Sequence, residues 1–350
     1  MRPIFRAVVT AGAIVAVTAI ALTVRSLTAF GVFTDVTPGF SGTCKAIATT
    51  DGPEDIVIDG DFAFISAFDR RKSNSGDGLY VISLKDPAPH PRKLAGTPGD
   101  FHPHGISLFR DSHGQVTLLV INHRSDGRHS IESFAVPPGA PKLVHLGSIE
   151  SDELTSPNAI AALNAEQFYV TNDHATRSSV GRMLDDDLVL PRANLLFFDG
   201  IRFRVVANDL NYPSGAAISP NGQYLYIAEA YNRRLTAYAI NPISGRLDEA
   251  GNLAIPSNLD NLRFDAKGHL WLGSHPNAIA MAAYRADASK PSPSEIFEVA
   301  LSDGIPQAAT PVYIDKGGQI GGSSVAAVSG DRLLIGSPLD RKILDCRMAR

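Results

Sequence analysis

Short strand-like runs of apolar residues, broken by turn residues, recur from one end of this chain to the other. In order they are "FAFIS" from residue 62, "VTLLVIN" from 116, "QFYVTND" from 167, "YLYIAEA" from 224, "LWLGSHP" from 270 and "LLIGSPL" from 333. Most lead through a loop into a second run, as in "GLYVISL", "SIESFAV", "NLLFFDG", "RLTAYAI" and "KILDC". Each pair reads as the inner strand of a sheet followed by its hairpin partner. The starts are about 50 residues apart with one longer gap, and turn signals such as "SPNG" and "DAKG" precede several of them. A four-stranded repeat of about 50 residues is the size of a propeller blade, and six would fill about 300 residues. The pattern therefore predicts an all-β, six-bladed β-propeller over residues 31–350. Beyond residue 30 no long segment has a clean helical period, and 23 Pro and 30 Gly punctuate nearly every run.

The first 30 residues follow a different pattern. Ala7 to Val24, "AVVTAGAIVAVTAIALTV", are uncharged and largely apolar, flanked by Arg2 and Arg6 before and Arg25 after. As a helix this stretch spans roughly 27 Å, the short end of a bilayer crossing. Signal-peptide cores usually run to about 7–15 residues and end in a small-x-small cleavage site, of which "VRSLTAFGV" is a weak version. Residues 1–30 are therefore read as an uncleaved signal-anchor, with a cleaved signal peptide as the alternative. The excess of Arg on the near side puts the short end in the cytoplasm, and either reading exports the rest.

Export changes the meaning of the two cysteines, Cys44 and Cys346. In an oxidising compartment they can form a bridge, closing a loop of about 300 residues worth roughly 5 kcal/mol in chain entropy. A propeller supplies a reason for that pairing, because a strand near Cys44 would complete the sheet whose other strands end at Cys346. Two unrelated buried thiols are the other reading.

Composition narrows the function more by exclusion. With 44% hydrophobic and 19% charged residues the chain can bury a large core, and a net charge of -4 without basic clusters excludes a nucleic-acid footprint. There is no G-x-S-x-G elbow, H-E-x-x-H, C-x-x-C, P-loop or G-x-G-x-x-G. What the chain offers is a set of oxygen-bearing and imidazole side chains at blade starts and strand ends. They are Glu54, Asp55, His104, His123, Asn158, Asn172, Asp173, His174, Ser214, Asp260, Asn261 and His275. Taken singly, an Asn or Asp at a strand end also serves an Asx turn. Taken together at the mouth of a propeller, carboxylate and amide oxygens are the hard ligands that calcium selects, at roughly 6 to 8 oxygens per ion.

At these residues the sequence resembles the paraoxonase/arylesterase family, with the look of a bacterial-type member. The motifs "PEDIVI…FAFIS", "HPHGISLF", "LLVINH", "FYVTNDH", "ISPNGQYLYIAE", "DNLRFD", "LWLGSHPN", "GGSSVAAV" and "LLIGS" occur in family order. The resemblance implies a six-bladed propeller, calcium in its tunnel, a retained hydrophobic N-terminus, a disulfide between the chain ends, and hydrolysis of lactones and aryl esters. It assigns a catalytic calcium to Glu54, Asn158, Asp260 and Asn261, with Ser214 in place of a family Asn. It assigns a structural calcium to Asp55 and the Ile106 carbonyl, with Ala159 where the family has an Asp, which leaves that second ion's occupancy open. His104 and His123 match the pair assigned to proton transfer, with Asp260 as an alternative activator of water. His275 and His174 match pocket residues, and Ser274 replaces a family Cys. Substrate choice is expected to reside in loops 69–78 and 174–194. A non-hydrolytic, strictosidine-synthase-like or binding propeller is the competing reading, since a fold does not set its chemistry.

Overall fold

A computed structural model describes residues 2–72, 76–138 and 142–349. Its strands form six antiparallel sheets arranged as the blades of a propeller. Blade 1 takes residues 53–93, blade 2 103–150, blade 3 157–210, blade 4 213–254 and blade 5 258–315. Blade 6 joins 325–348 to Gly42–Ala48, so its outermost strand comes from the other end of the propeller sequence. Cys44 stands opposite Cys346 in that pairing, and the two are bonded across a separation of 302 residues. Gly39–Phe40 adds a short fifth strand to the outer edge of blade 5.

The apolar runs that mark the repeat are not the innermost strands. "FAFIS" lies in Phe62–Ala67, "VTLLVIN" in Val116–His123 and "LLIG" in Arg332–Gly336, each the second strand of its blade. The cause is burial on both faces: a second strand is sandwiched between neighbouring blades, so most of its positions are apolar and the run stands out. The innermost strands, such as Pro53–Asp59 and Asn258–Phe264, line the tunnel and carry polar residues at their starts. Turn chemistry follows as expected at "SPNG" and "DAKG", where Gly222 and Gly268 take positive φ (72° and 83°) between the first and second strands.

The core is divided among the blades. Ile56, Ile65, Val325 and Leu334 pack between blades 6 and 1, Val57, Phe64, Leu118 and Phe134 between blades 1 and 2, and the other junctions are filled likewise. Each wedge is closed only by the presence of both neighbours, which is why a ring must close to be stable.

Among the described residues, three helices accompany the strands. α1, Arg2–Ala29, contains the apolar stretch, and its Val8–Ala29 part is long and apolar enough to cross a membrane and is exposed up to its last turn, where Ala29 is buried. The side chains of Arg2 and Arg6 lie outside the described residues. α2, Ser179–Asp187, and α3, Ala278–Ala286, are nine-residue insertions between the second and third strands of blades 3 and 5. Each starts on a side-chain cap, Ser178 and Asn277, that accepts from a backbone N–H in the first turn. They are too short to impose a helical period visible against the strand pattern.

Candidate active site

The candidate residues owe their positions to one repeated local irregularity. In blades 1 to 5 the pairing of the innermost with the second strand slips at the start of the innermost strand. The slips fall at Pro53/Asp55, Pro103/Ile106, Pro157/Ile160, Pro213/Gly215 and Leu259/Leu262. The residues inside them are Glu54, His104 with Gly105, Asn158 with Ala159, Ser214, and Asp260 with Asn261. A bulge adds an unpaired residue and re-aims its side chain, here at the tunnel end formed by the strand starts. In four blades the bulge begins with Pro, which has no N–H to lose from the ladder. The repeated pair Pro-polar at 53, 103, 157 and 213 was a signal in the sequence that motif reading overlooked.

Close approach of the strand starts is achieved with glycine. A Cβ on Gly105 would stand 2.4 Å from the Asn158 carbonyl oxygen, and one on Gly215 would stand 2.2 Å from that of Asp260. The Ser214 hydroxyl donates to the Leu259 carbonyl (2.7 Å) and the Asn261 N–H to the Ser324 carbonyl (2.9 Å), so blades 4, 5 and 6 are laced together at this end.

Two chains of side chains run outward from the tunnel. In the first, His104 Nε2 is 3.0 Å from Glu54 Oε1, His104 Nδ1 is 2.7 Å from His123 Nε2, and His123 Nδ1 is 3.0 Å from His129 Nδ1. Burial is the main reason all three imidazoles lose affinity for a proton, with neighbouring cations adding to it. His104 falls to about 3 with Arg70 beside it, His129 to about 4, and His123 well below the ordinary value with His104 and His129 against it. All three are neutral at pH 7.

The second chain holds Asn158. Its Nδ2 donates to Asp173 Oδ2 (2.9 Å), whose other oxygen is 2.6 Å from His174 Nδ1, and His174 Nε2 is 3.0 Å from Asp186 Oδ1. Burial alone would lower the His174 pKa, but the hydrogen bonds it donates to Asp173 and Asp186 outweigh it and hold the group up at about 9. The imidazolium anchors Asp173, Asp173 orients the amide, and Asn158 Oδ1 is left buried with no hydrogen-bond partner. Asn261 Nδ2 and His275 Nδ1 are buried and unpartnered too, with His275 Nδ1 3.7 Å from Asp260 Oδ2.

Charge at the tunnel centre is unbalanced by ordinary standards. Glu54 and Asp260 are 5% exposed. Burial, then the nearby Asp55, pushes the Asp260 carboxyl well above the usual carboxylate range. Arg70 pairs with Glu54 Oε2, and burial followed by Arg285 brings its own pKa down to about 9, against the pull of Asp260. Arg70, His129 and Tyr212, which holds φ of 53° and packs edge-on against His174 at 5.2 Å, were not among the predicted site residues, whereas Asp173 was a candidate in the sequence and is found orienting Asn158. Arg70 lies in "DRRK" with nothing local to mark it, since its partner is 16 residues away and meets it only in the fold.

The donor set suits a hard divalent cation. Two carboxylates, two side-chain amides and a hydroxyl oxygen converge on one tunnel end, and a buried, unpartnered amide oxygen is a group that a cation satisfies. Among the described residues, no three His, Cys, Asp or Glu side chains gather as a metal centre by themselves, so a cation here depends on the amides. The resemblance's second set does not fit: Ala159, a 2% exposed apolar residue, stands where a carboxylate is needed, and neither Asp55 oxygen is orphaned, whereas at the tunnel end Glu54 is bonded to Arg70 and His104 but Asn158 Oδ1 is left without a partner.

The rim is built from loops and from the base of α1. Arg71 donates to the Arg285 (3.2 Å) and Tyr284 (2.8 Å) carbonyls and to that of Leu339, tying loop 69–78 to α3 and blade 6, although residues 73–75 of that loop lie outside the described residues. Arg25 donates to the Val189 carbonyl (2.8 Å), Asn258 to that of Ala29 (2.7 Å), and Phe30 packs on Tyr231.

Fold and site define a six-bladed propeller with a tunnel end lined by carboxylate, amide and imidazole groups. An arylesterase family model matches residues 41–348, and the chain belongs to that family. It is 31% identical to serum paraoxonase/arylesterase 2 of Homo sapiens over 77% of each chain. It is 33% identical to serum paraoxonase/arylesterase 1 of Rattus norvegicus over 76% of this chain and 75% of that one. Among solved structures, a luciferin-regenerating enzyme superposes with TM-score 0.54 at 11% identity, covering 87% of this chain and 95% of that one, a likeness of fold alone.

Proposed function

We propose that the protein is a calcium-dependent hydrolase of lactones and aryl esters, acting at the tunnel end where the five bulges meet. The observation that carries the reading is the buried, unpartnered Asn158 Oδ1, held by Asp173 among the carboxylates of Glu54 and Asp260. Family membership supports the substrate class. Glu54, Asn158, Asp260, Asn261 and Ser214 would hold the ion, which when bound supplies positive charge to polarise a carbonyl and stabilise its oxyanion.

The protein's own groups handle the proton. His104 is neutral and faces the tunnel through Nε2. In the observed geometry His104 donates from Nε2 to Glu54 Oε1; once Glu54 turns to the ion it would hold, the tautomer with its proton on Nδ1 accepts a proton from water at Nε2 and releases one from Nδ1 to His123 Nε2. His123 can pass a proton on to His129 in the same way, which moves charge away from the reacting centre. Burial excludes bulk water from this path and keeps the imidazoles available as bases throughout the neutral range.

The α1 helix and the disulfide support an exported protein anchored in a membrane. Because the base of α1 is bonded to the rim at Val189, Asn258 and Arg233, the anchor would hold the tunnel mouth toward the bilayer.

One assay series tests the mechanism. With an aliphatic lactone and added calcium, His104→Gln is expected to lower kcat by about 10²–10⁴, and chelation is expected to abolish turnover of the parent. Full turnover in the variant removes His104 as the base, and turnover that survives chelation removes calcium.

A further inference from the structure

Asp55 adjoins the tunnel residue Glu54 but belongs to a different environment. Its side chain is fully buried. Oδ1 accepts from the Ile56 N–H (2.9 Å), and Oδ2 accepts from the Ile106 N–H (2.9 Å) and from Arg263 Nη2. Arg263 reaches this point from the innermost strand of blade 5. It also donates from Nη2 to the Ile106 carbonyl (2.9 Å), from Nε to the Ile56 carbonyl (3.0 Å) and from Nη1 to its neighbour Leu262 (2.6 Å). One guanidinium thus bonds to blades 1 and 2 from blade 5 and spans the tunnel.

The groups it holds are the ones the family resemblance gives to a second cation: the Asp55 carboxylate and the Ile106 carbonyl. The third member of that set is absent, since Ala159 stands in its place. Charge explains why the two changes go together. A divalent cation is balanced by two carboxylates, whereas a guanidinium is balanced by one. With Ala159 for a carboxylate and Arg263 for the ion, the buried cluster remains neutral, and the planar fork can bond a carboxylate and carbonyls together. The contrast with the tunnel end is sharp, since Asn158 Oδ1 lacks a partner while neither Asp55 oxygen does.

We propose that Arg263 is a built-in replacement for a second cation: it ties blades 1, 2 and 5 together at Asp55 and Ile106, and Asp55 binds no metal. Arg263 also lines a cavity of about 390 Å³ at the opposite end of the tunnel, among Val57, Leu108, Ala161, Ala217 and Val328. It therefore stands between that cavity and the candidate site. The proposal concerns Asp55 alone and holds whether or not the tunnel end binds calcium.

Calcium per chain, measured on the full-length protein after equilibration with calcium and removal of excess, tests it. The expected result is one ion that is lost in Glu54→Gln, with chelator leaving that variant's melting midpoint unchanged. No ion at all would also support the assignment of Asp55, while removing the calcium mechanism above. Two ions, or one that persists in Glu54→Gln, overturn it. In the Glu54→Gln background, where the tunnel ion is absent, Arg263→Ser is expected to melt lower with no recovery on adding calcium, and recovery by calcium would overturn the proposal. The Ala159→Asp/Arg263→Ser protein is expected to bind one ion more than the parent and to melt higher in calcium. A folded double variant with no added ion also overturns it, and if it does not fold, the parent and Glu54→Gln counts decide.

Discussion

Asp173 controls more of the site than its position off the bulge suggests. It bonds Asn158 on one side and His174 on the other, and Ser156 Oγ donates to it as well. Because the folded His174 pKa is raised to about 9 from 6.5, its contribution to stability is complete below pH 6.5 and is lost as pH rises through about 9. The melting midpoint is therefore expected to fall between those values, and His174→Gln should flatten that segment of the curve. Asp173→Asn removes the charge that holds His174 protonated. An NMR titration of His174 in that variant should move down toward the ordinary imidazole value, and an unmoved titration would deny Asp173 its orienting role.

Among the elements, the bulged innermost strands matter most to the site. The prolines and glycines at their starts act as spacers: Pro opens each bulge without losing a ladder bond, and Gly105 and Gly215 let adjacent blades touch backbone to backbone. At Gly215 an added methyl meets the Asp260 carbonyl at 2.2 Å, an atom that cannot rotate away. Gly215→Ala is expected to cost about 1–3 kcal/mol, read as a lower urea midpoint at unchanged m. Lactone turnover should drop with it, because Asp260 moves with its carbonyl. The second strands have no such role at the site. Their mainly apolar runs serve the wedges between blades, which is why they announce the repeat so clearly, and they reach the site only at their ends, through His123, Asn172 and His275.

At the scale of the whole molecule the ring is held shut at blade 6, where Gly42–Ala48 pairs with Lys342–Met348 and Cys44 is bonded to Cys346. Opening this seam would expose the wedge between blades 6 and 1, including Ile47, Ile343 and Leu334. Replacing both cysteines by serine is expected to lower stability by about 2–5 kcal/mol. A reductant should lower the melting midpoint of the parent and leave the double variant unchanged, and an equal response in both would show that the bond contributes nothing.

Read alone, the sequence carried the six-fold repeat, the apolar N-terminal helix and the pairing of the two cysteines, because each rests on local periodicity or on simple counting. It also carried candidate groups such as Glu54, His104, Asn158 and Asp260, since polar residues at strand starts and ordered family motifs are visible without coordinates. It could not show which strand of a blade is innermost, because the strongest hydrophobic run marks double-sided burial and not position in the ring. Nor could it show Arg70 beside Glu54, Asp173 behind Asn158, or Arg263 on Asp55. The last pair is separated by 208 residues and meets only because six blades close into a ring. Glu54 and Asp55 are neighbours in the chain, but successive backbone positions direct them to different surroundings, Glu54 to the tunnel end between Arg70 and His104, and Asp55 to Arg263 and two backbone N–H groups. Sequence determined that two carboxylates would stand at this strand start, and tertiary structure decided what each of them faces.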